Sequence, residues 1–188
     1  MDGGRRSAFY AMIDPAEAGR AFEAAFAARA SGGLKVRPEQ AGDAQFLRGL
    51  FLATNTVRAV LPAPLLAQQA DLQLAAFRSN YPDAMRRIAV GPQGPIGRII
   101  IDWSGRAAHC ADVAVHPAHA GRGVGTALLR AWIDVATQHG LACTLTVQPD
   151  NPARALYARL GFEEEAVALA SAGISMRRRP DRRRDIAG

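Results

Sequence analysis

Three glycines lie within five residues, at 121, 123 and 125, inside the run Asp112-Val-Ala-Val-His-Pro-Ala-His-Ala-Gly-Arg-Gly-Val-Gly-Thr-Ala-Leu-Leu129. A strand-like stretch leads into them and a helix-like stretch opens directly after, so they occupy a strand-to-helix turn. Where no β-carbon obstructs, backbone amides can converge. A helix start adds N–H groups without an intrahelical acceptor and the positive end of the helix dipole. The chemistry on offer is an anion cradle, suited to phosphate or pyrophosphate. It is not the nucleoside-triphosphate loop, because Thr126-Ala127 stands where Lys-Ser/Thr is needed. It is not the dinucleotide fingerprint either. Thr126 replaces that pattern's third glycine, and the next strand ends in Val147-Gln148 with no carboxylate for a ribose. The plainer alternative is a turn whose glycines only let strand and helix pack closely.

A second cluster follows: Val147-Gln-Pro-Asp-Asn151-Pro-Ala-Arg-Ala-Leu-Tyr157-Ala-Arg-Leu-Gly161-Phe162. Asn151 can cap a short helix, and Tyr157 falls about one and a half turns later. Two titratable residues, His109 and Asp112, lie on the strand entering the glycine turn. Their separation of three predicts opposite faces of that strand. His116 and His119 belong to the turn and are expected in solvent, and His139 ends a helix. Cys110 and Cys143 sit singly in apolar contexts and form neither a CxxC pair nor a zinc spacing, so they read as buried reduced thiols with no metal site. Glu163-Glu164-Glu165 reads as a solvated strand entry.

The two blocks, 112–129 and 145–162, resemble the GNAT superfamily, the Gcn5-related N-acetyltransferases. The first is similar to that family's acyl-CoA pyrophosphate loop, (Gln/Arg)-x-x-Gly-x-(Gly/Ala), and the second to its Asn…Tyr…Gly-Phe block. In element order the resemblance covers about residues 34–178. It implies acetyl-CoA as co-substrate, with backbone amides of Gly121, Arg122, Gly123, Val124 and Gly125, together with Thr126, on the pyrophosphate. Val113, Ala114 and Val115 would bond the pantetheine arm by backbone from a strand that splays from its neighbour. Asn151 would sit beside that arm, and Tyr157 would protonate the departing thiolate. The implied reaction is direct attack of a primary amine, small molecule or peptide, on the acetyl group. The alternative is a non-catalytic acyl-CoA-binding or regulatory module. The sequence departs from the pattern in three places. Ala120 stands where the loop usually has Gln or Arg, Asn151 and Tyr157 are six apart where seven is commoner, and Thr146 stands where some relatives keep a glutamate base. The general base is left among His109, Asp112 and water.

These motifs need a scaffold. Asp14-Pro15-Ala16-Glu17 starts an alanine-rich helix to about residue 30, with Phe22 and Phe26 on one face, to be packed on the body or across a homodimer. A strand at 34–37 is followed by helices at about 43–55, capped by Asp43, and 65–80, carrying Leu65, Leu66, Leu72 and Phe77. Strands are expected at 85–90, 96–103 and 107–116, then a helix at 123–139. A strand at 142–147, expected to be buried on both faces, precedes a helix at 151–160 and strands at 162–170 and 174–178. The fold class is α+β, a mixed, mostly antiparallel central sheet with helices on both faces. The domain reading is an N-terminal extension over 1–33, an acetyltransferase domain over 34–179 and a basic tail over 180–188. Residues 177–188 hold six arginines against two aspartates and the rest is close to neutral, so nucleic acid is not the expected partner. No apolar run reaches the ~18 residues of a membrane helix and no secretory leader is evident, so a cytoplasmic location is expected.

Overall fold

The computed structural model of the chain describes residues 13–54, 62–165 and 173–180. Helix α1 (Pro15–Ala27) starts as its sequence dictates. Asp14 Oδ1 accepts from the Ala16 amide at 3.1 Å, and Pro15 takes the first helical position. Strand β1 (Lys35–Pro38) comes next, then a 3-10 turn (Ala41–Asp43), helix α2 (Ala44–Thr54) and helix α3 (Ala63–Asn80). Strands β2 (Met85–Gly91), β3 (Gly94–Asp102) and β4 (Ala107–Val115) form a meander. Helix α4 (Val124–Gln138), strand β5 (Ala142–Val147), helix α5 (Ala153–Arg159) and strands β6 (Glu163–Glu164) and β7 (Ile174–Arg178) complete the chain. The seven strands make one sheet in the order β1-β2-β3-β4-β5-β7-β6, with only β4–β5 parallel.

Two apolar layers sandwich this sheet. On one side α1 and α4 cover it. Phe22 and Phe26 are fully buried there with Ile99, Ile101, Cys110, Leu128 and Trp132. The α1 stripe therefore packs on the body; the Arg87–Glu23 ion pair ties α1 to β2, and Arg29, just after α1, pairs with Asp134 of α4. Burying each Phe contributes roughly 1.5–3 kcal/mol. On the other side α2 and α3 bury Leu47, Leu50, Leu66 and Ala70 near Ile88 and Ile100. Arg86 of β2 closes the end of α3 by donating to the carbonyls of Phe77, Tyr81 and Ala84 at 3.1, 2.5 and 3.0 Å.

On α3, Leu65 and Leu72 are exposed, because the helix lies on the sheet through Leu66, Ala70 and Phe77. Three expectations need correction. Asp43 does not cap α2. It closes the preceding 3-10 turn, accepting from the Gln40 amide at 2.8 Å and from both Arg37 guanidinium nitrogens at 2.7 Å. Strand β5 is not buried on both faces: Cys143, Leu145 and Val147 point into the core, whereas Thr144 and Thr146 do not. The expected strand at 162–170 is seen as Glu163–Glu164, and residues 166–172 lie outside the described residues, as does the tail from 181.

Candidate active site

The glycine turn has the geometry its sequence calls for. Gly121 and Gly123 have φ of 73° and 79°, the left-handed region that side chains rarely adopt. A β-carbon at either would meet no atom within 4 Å, so backbone conformation and not crowding selects glycine, and the space beside the turn is open. Gly123 is the N-cap of α4, and the first bond of that helix is Ala127 N–H to the Gly123 carbonyl at 2.9 Å. The amides of Val124, Gly125 and Thr126 therefore precede any intrahelical acceptor. The first turn of α4 carries no acidic residue to compete for them. Gly125 lies against Val115, where a β-carbon would meet Val115 Cγ2 at 3.7 Å. The turn and the end of β4 are thus held together.

Beside this turn the sheet forks. β4 pairs with β5 only over Ala107–Ala142, Ala108–Cys143, His109–Thr144 and Cys110–Leu145. Beyond that, β4 stays paired with β3 up to Val115–Gly97, and β5 stays paired with β7 up to Val147–Ile174. The β4 edge that carries Val113, Ala114 and Val115 is left unpaired towards β5. An extended chain entering there would find backbone donors and acceptors on that edge.

Strand β4 also carries a bulge. Ile101 pairs with Cys110 but Ile100 pairs with Asp112, so Ala111 is the extra residue. The bulge reverses the expected alternation. His109, Asp112 and Ala114 oppose Asp102, Ile100 and Arg98, which all lie on one face of β3. His109 and Asp112 are therefore on the same face, the one covered by α2 and α3, contrary to the reading from their separation. Thr144 shares that face, since its Oγ1 is 3.1 Å from His109 Nδ1.

On this face the two titratable groups have different tasks. Asp112 Oδ2 accepts from Arg98 Nε at 2.9 Å and Nη2 at 2.7 Å. Arg98 is buried, and the Phe77 ring covers its guanidinium at 5.2 Å. Asp112 thus neutralises a buried cation. His109 is stacked on Tyr81 with ring centroids 5.8 Å apart, and burial lowers its pKa against an opposing pull from Asp102. Its imidazole is neutral at pH 7. His116 is half-buried, not free in solvent, and its Nδ1 accepts from the Ala118 amide at 3.3 Å; His119 is half-buried as well.

Tyr157 lies on α5 and Asn151 just before it. Asn151 is exposed, and its Oδ1 accepts from the Ala153 amide at 2.9 Å, so it caps α5. Tyr157 is buried in an edge-to-face pair with Phe162. Burial raises its pKa above the ordinary tyrosine range, and Cys110 and Asp112 push the same way. The phenol stays protonated and can donate. Burial also raises the Cys110 and Cys143 thiols, so neither is a nucleophile at neutral pH. Glu164 pairs with Arg154 and Glu165 with Arg177, both at 2.5 Å.

Sequence reasoning missed Arg98, Phe77, Tyr81 and Thr144. One signal was available: Arg98 interrupts the apolar run Ile96-Gly-Arg-Ile-Ile-Ile101, and a cation in a buried strand requires a partner.

Comparison with known proteins bears on the fold and the family. The PaiA N-acetyltransferase from Thermoplasma acidophilum, solved in complex with coenzyme A, is similar with a TM-score of 0.63 at 16% identity, covering 78% of this chain and 99% of that one. The ribosomal-protein-S18-alanine N-acetyltransferase from Escherichia coli is similar with a TM-score of 0.59 at 19% identity, covering 78% and 94%. A GCN5-related N-acetyltransferase from Rhodopseudomonas palustris gives a TM-score of 0.58 at 23% identity, covering 80% and 98%. No curated protein sequence matches the chain significantly. The family model described as Acetyltransferase (GNAT) family matches residues 67–162, a stretch running from α3 through the fork and the glycine turn to Phe162. The chain belongs to the GNAT acetyltransferase family.

Proposed function

We propose that this enzyme transfers an acetyl group from acetyl-CoA to a primary amine by direct attack. The observation that carries the reading is the open glycine turn at the start of α4, set beside the fork between β4 and β5. The residues present fit the co-substrate. The amides of Val124, Gly125 and Thr126 have no intrahelical acceptor, the space beside Gly121 and Gly123 is open, and the first turn of α4 holds no carboxylate, as a pyrophosphate requires. The free β4 edge at Val113, Ala114 and Val115 can bond an amide-containing arm, and Asn151 at the start of α5 is assigned to the same arm by the family resemblance. Acetyl-CoA supplies an acyl group already activated as a thioester, so no acyl-enzyme is required. Tyr157, held neutral by burial, is the proton donor to the sulfur. No helix among the described residues is long and apolar enough to cross a membrane. We place the enzyme in the cytoplasm, acting on a small-molecule or peptide amine.

The test is binding followed by turnover. Acetyl-CoA should raise the melting temperature by mass action. Gly123→Glu should abolish that rise, because it puts a carboxylate at the cradle and a side chain at φ 79°. A folded Gly123→Glu protein with unchanged CoA affinity refutes the assignment. Binding without thiol release across a broad amine panel favours the non-catalytic module.

A further inference from the structure

The reaction must also dispose of a proton. Forming the N–C bond leaves the amine nitrogen with one proton too many, and a group on the acceptor side has to take it. On the face of β4 opposite α4, the described polar side chains that β4 and β5 bring to the fork are His109, Asp112, Thr144 and Thr146. Asp112 is committed to the buried Arg98, and threonine is no base at neutral pH. Cys110 lies on the other face, and His116 already accepts the Ala118 amide.

We propose that His109 takes the proton lost by the attacking amine, with Thr144 holding its Nδ1 and Tyr81 its ring plane. The proposal rests on the acetyl-transfer reading above. Its geometry has three parts. The Ala111 bulge turns His109 onto the same face as Asp112, one pair below the point where β4 and β5 separate. The Nδ1–Thr144 Oγ1 contact at 3.1 Å engages one ring nitrogen and leaves Nε2 for the substrate when Nδ1 carries the hydrogen. Stacking on Tyr81 holds the ring. Sharing that face of the sheet with His109 are Asp102 on β3, Asp112 with Arg98, Arg177 on β7 paired with Glu165 and Arg86 on β2, and the Tyr81 ring stacks on the imidazole. Only Asp102 opposes the burial that lowers its pKa, and burial is the larger cause. The step balances without another reactant. The amine lone pair forms the N–C bond, the C–S pair leaves with sulfur, His109 receives the nitrogen's proton and the sulfur receives one from Tyr157.

The experiment follows thiol release from acetyl-CoA against pH, with an amino acid, a diamine and a dipeptide as amines. The full-length native protein should show an acid limb below the ordinary imidazole value of ~6.5. His109→Gln should lose about 10²–10⁴-fold in kcat/KM at neutral pH, and its rate should climb steadily with pH as free amine becomes available. CoA affinity and melting temperature should not change. By proton NMR, the imidazole signal absent from His109→Gln should titrate in the native protein below ~6.5. Thr144→Val should reduce kcat and displace the acid limb, and Thr144→Ser should restore both. If the native protein releases no thiol with any amine, the acetyl-transfer reading falls and the base assignment with it. If the native protein turns over but His109→Gln stays within threefold at every pH, the assignment of His109 alone is overturned. Should His109→Gln fail to fold, the Thr144 pair decides: a Thr144→Val profile superimposable on the native one overturns the proposal.

Discussion

Asp112→Leu isolates the structural task of Asp112 from any chemical one. It removes the only carboxylate that bonds the Arg98 guanidinium among the described residues, where Arg98 is 6% exposed and lies against Phe77. An unpaired buried charge of this kind costs about 3–5 kcal/mol. In a chain of this length each kcal/mol moves Tm by about 2–4 °C, so the melting temperature should fall by about 6–20 °C. Arg98→Met alone leaves Asp112 without its partner; the carboxylate side chain is 21% exposed, which puts the loss at the lower end of the same range. The double variant Arg98→Met/Asp112→Leu replaces both charges with apolar groups and should recover most of the loss. Urea unfolding of the four proteins completes the cycle, and the two single losses should be strongly non-additive. A loss under about 1 kcal/mol for Asp112→Leu would mean that the pair behaves as an exposed one, and the reasoning fails. The double variant should also retain thiol release. A folded double variant that binds CoA but has lost turnover would return Asp112 to the chemistry.

Three further outcomes are expected. Tyr157→Phe should lower kcat by about 10²–10⁴-fold with CoA affinity unchanged; because burial raises the phenol, Tyr157 should impose no basic limb below the ordinary tyrosine value of ~10. Phe22→Ala or Phe26→Ala should each cost about 3–5 kcal/mol in urea unfolding, since both rings are fully buried, whereas an α1 that merely decorates the body would lose almost nothing. The Arg37 guanidinium holds the Asp43 carboxyl below its ordinary value, so this pair stabilises the fold fully above the unfolded value of ~3.9 and ceases to do so as pH falls through the lower folded value; Asp43→Asn should therefore be less stable than the native protein at pH 7 and converge with it towards acid pH.

Much of the scaffold was legible because local rules fixed it. Asp14-Pro15, Gly140 and Gly161 mark helix ends by capping and left-handed φ, and the structure uses all three. The glycine turn was legible for the same reason: its conformation is a property of the glycines themselves. What escaped depends on partners distant in sequence. The Ala111 bulge exists because β3 and β4 differ by one residue between Ile100 and Ile101, and nothing in Ala-His-Cys-Ala-Asp announces that mismatch. Period-two counting then assigned His109 and Asp112 to opposite faces. The exposure of Leu65 and Leu72 is also non-local, since which stripe of α3 meets the sheet is decided by Ile88, Ile100 and Arg98 opposite it.

A sheet that forks in its middle has four edges instead of two. The outer two are poor templates for a foreign strand: β1 is four residues long and ends at Pro38, and β6, as far as it is described, carries the carboxylates Glu163 and Glu164. The inner edge of β4 has no such protection, because Val113, Ala114 and Val115 are small or β-branched, uncharged residues. Whatever occupies the fork therefore doubles as a guard against misassembly. Under the acetyl-transfer reading proposed above, that occupant is the arm of acetyl-CoA, and the protein should self-associate most readily, by light scattering, when the ligand is withheld.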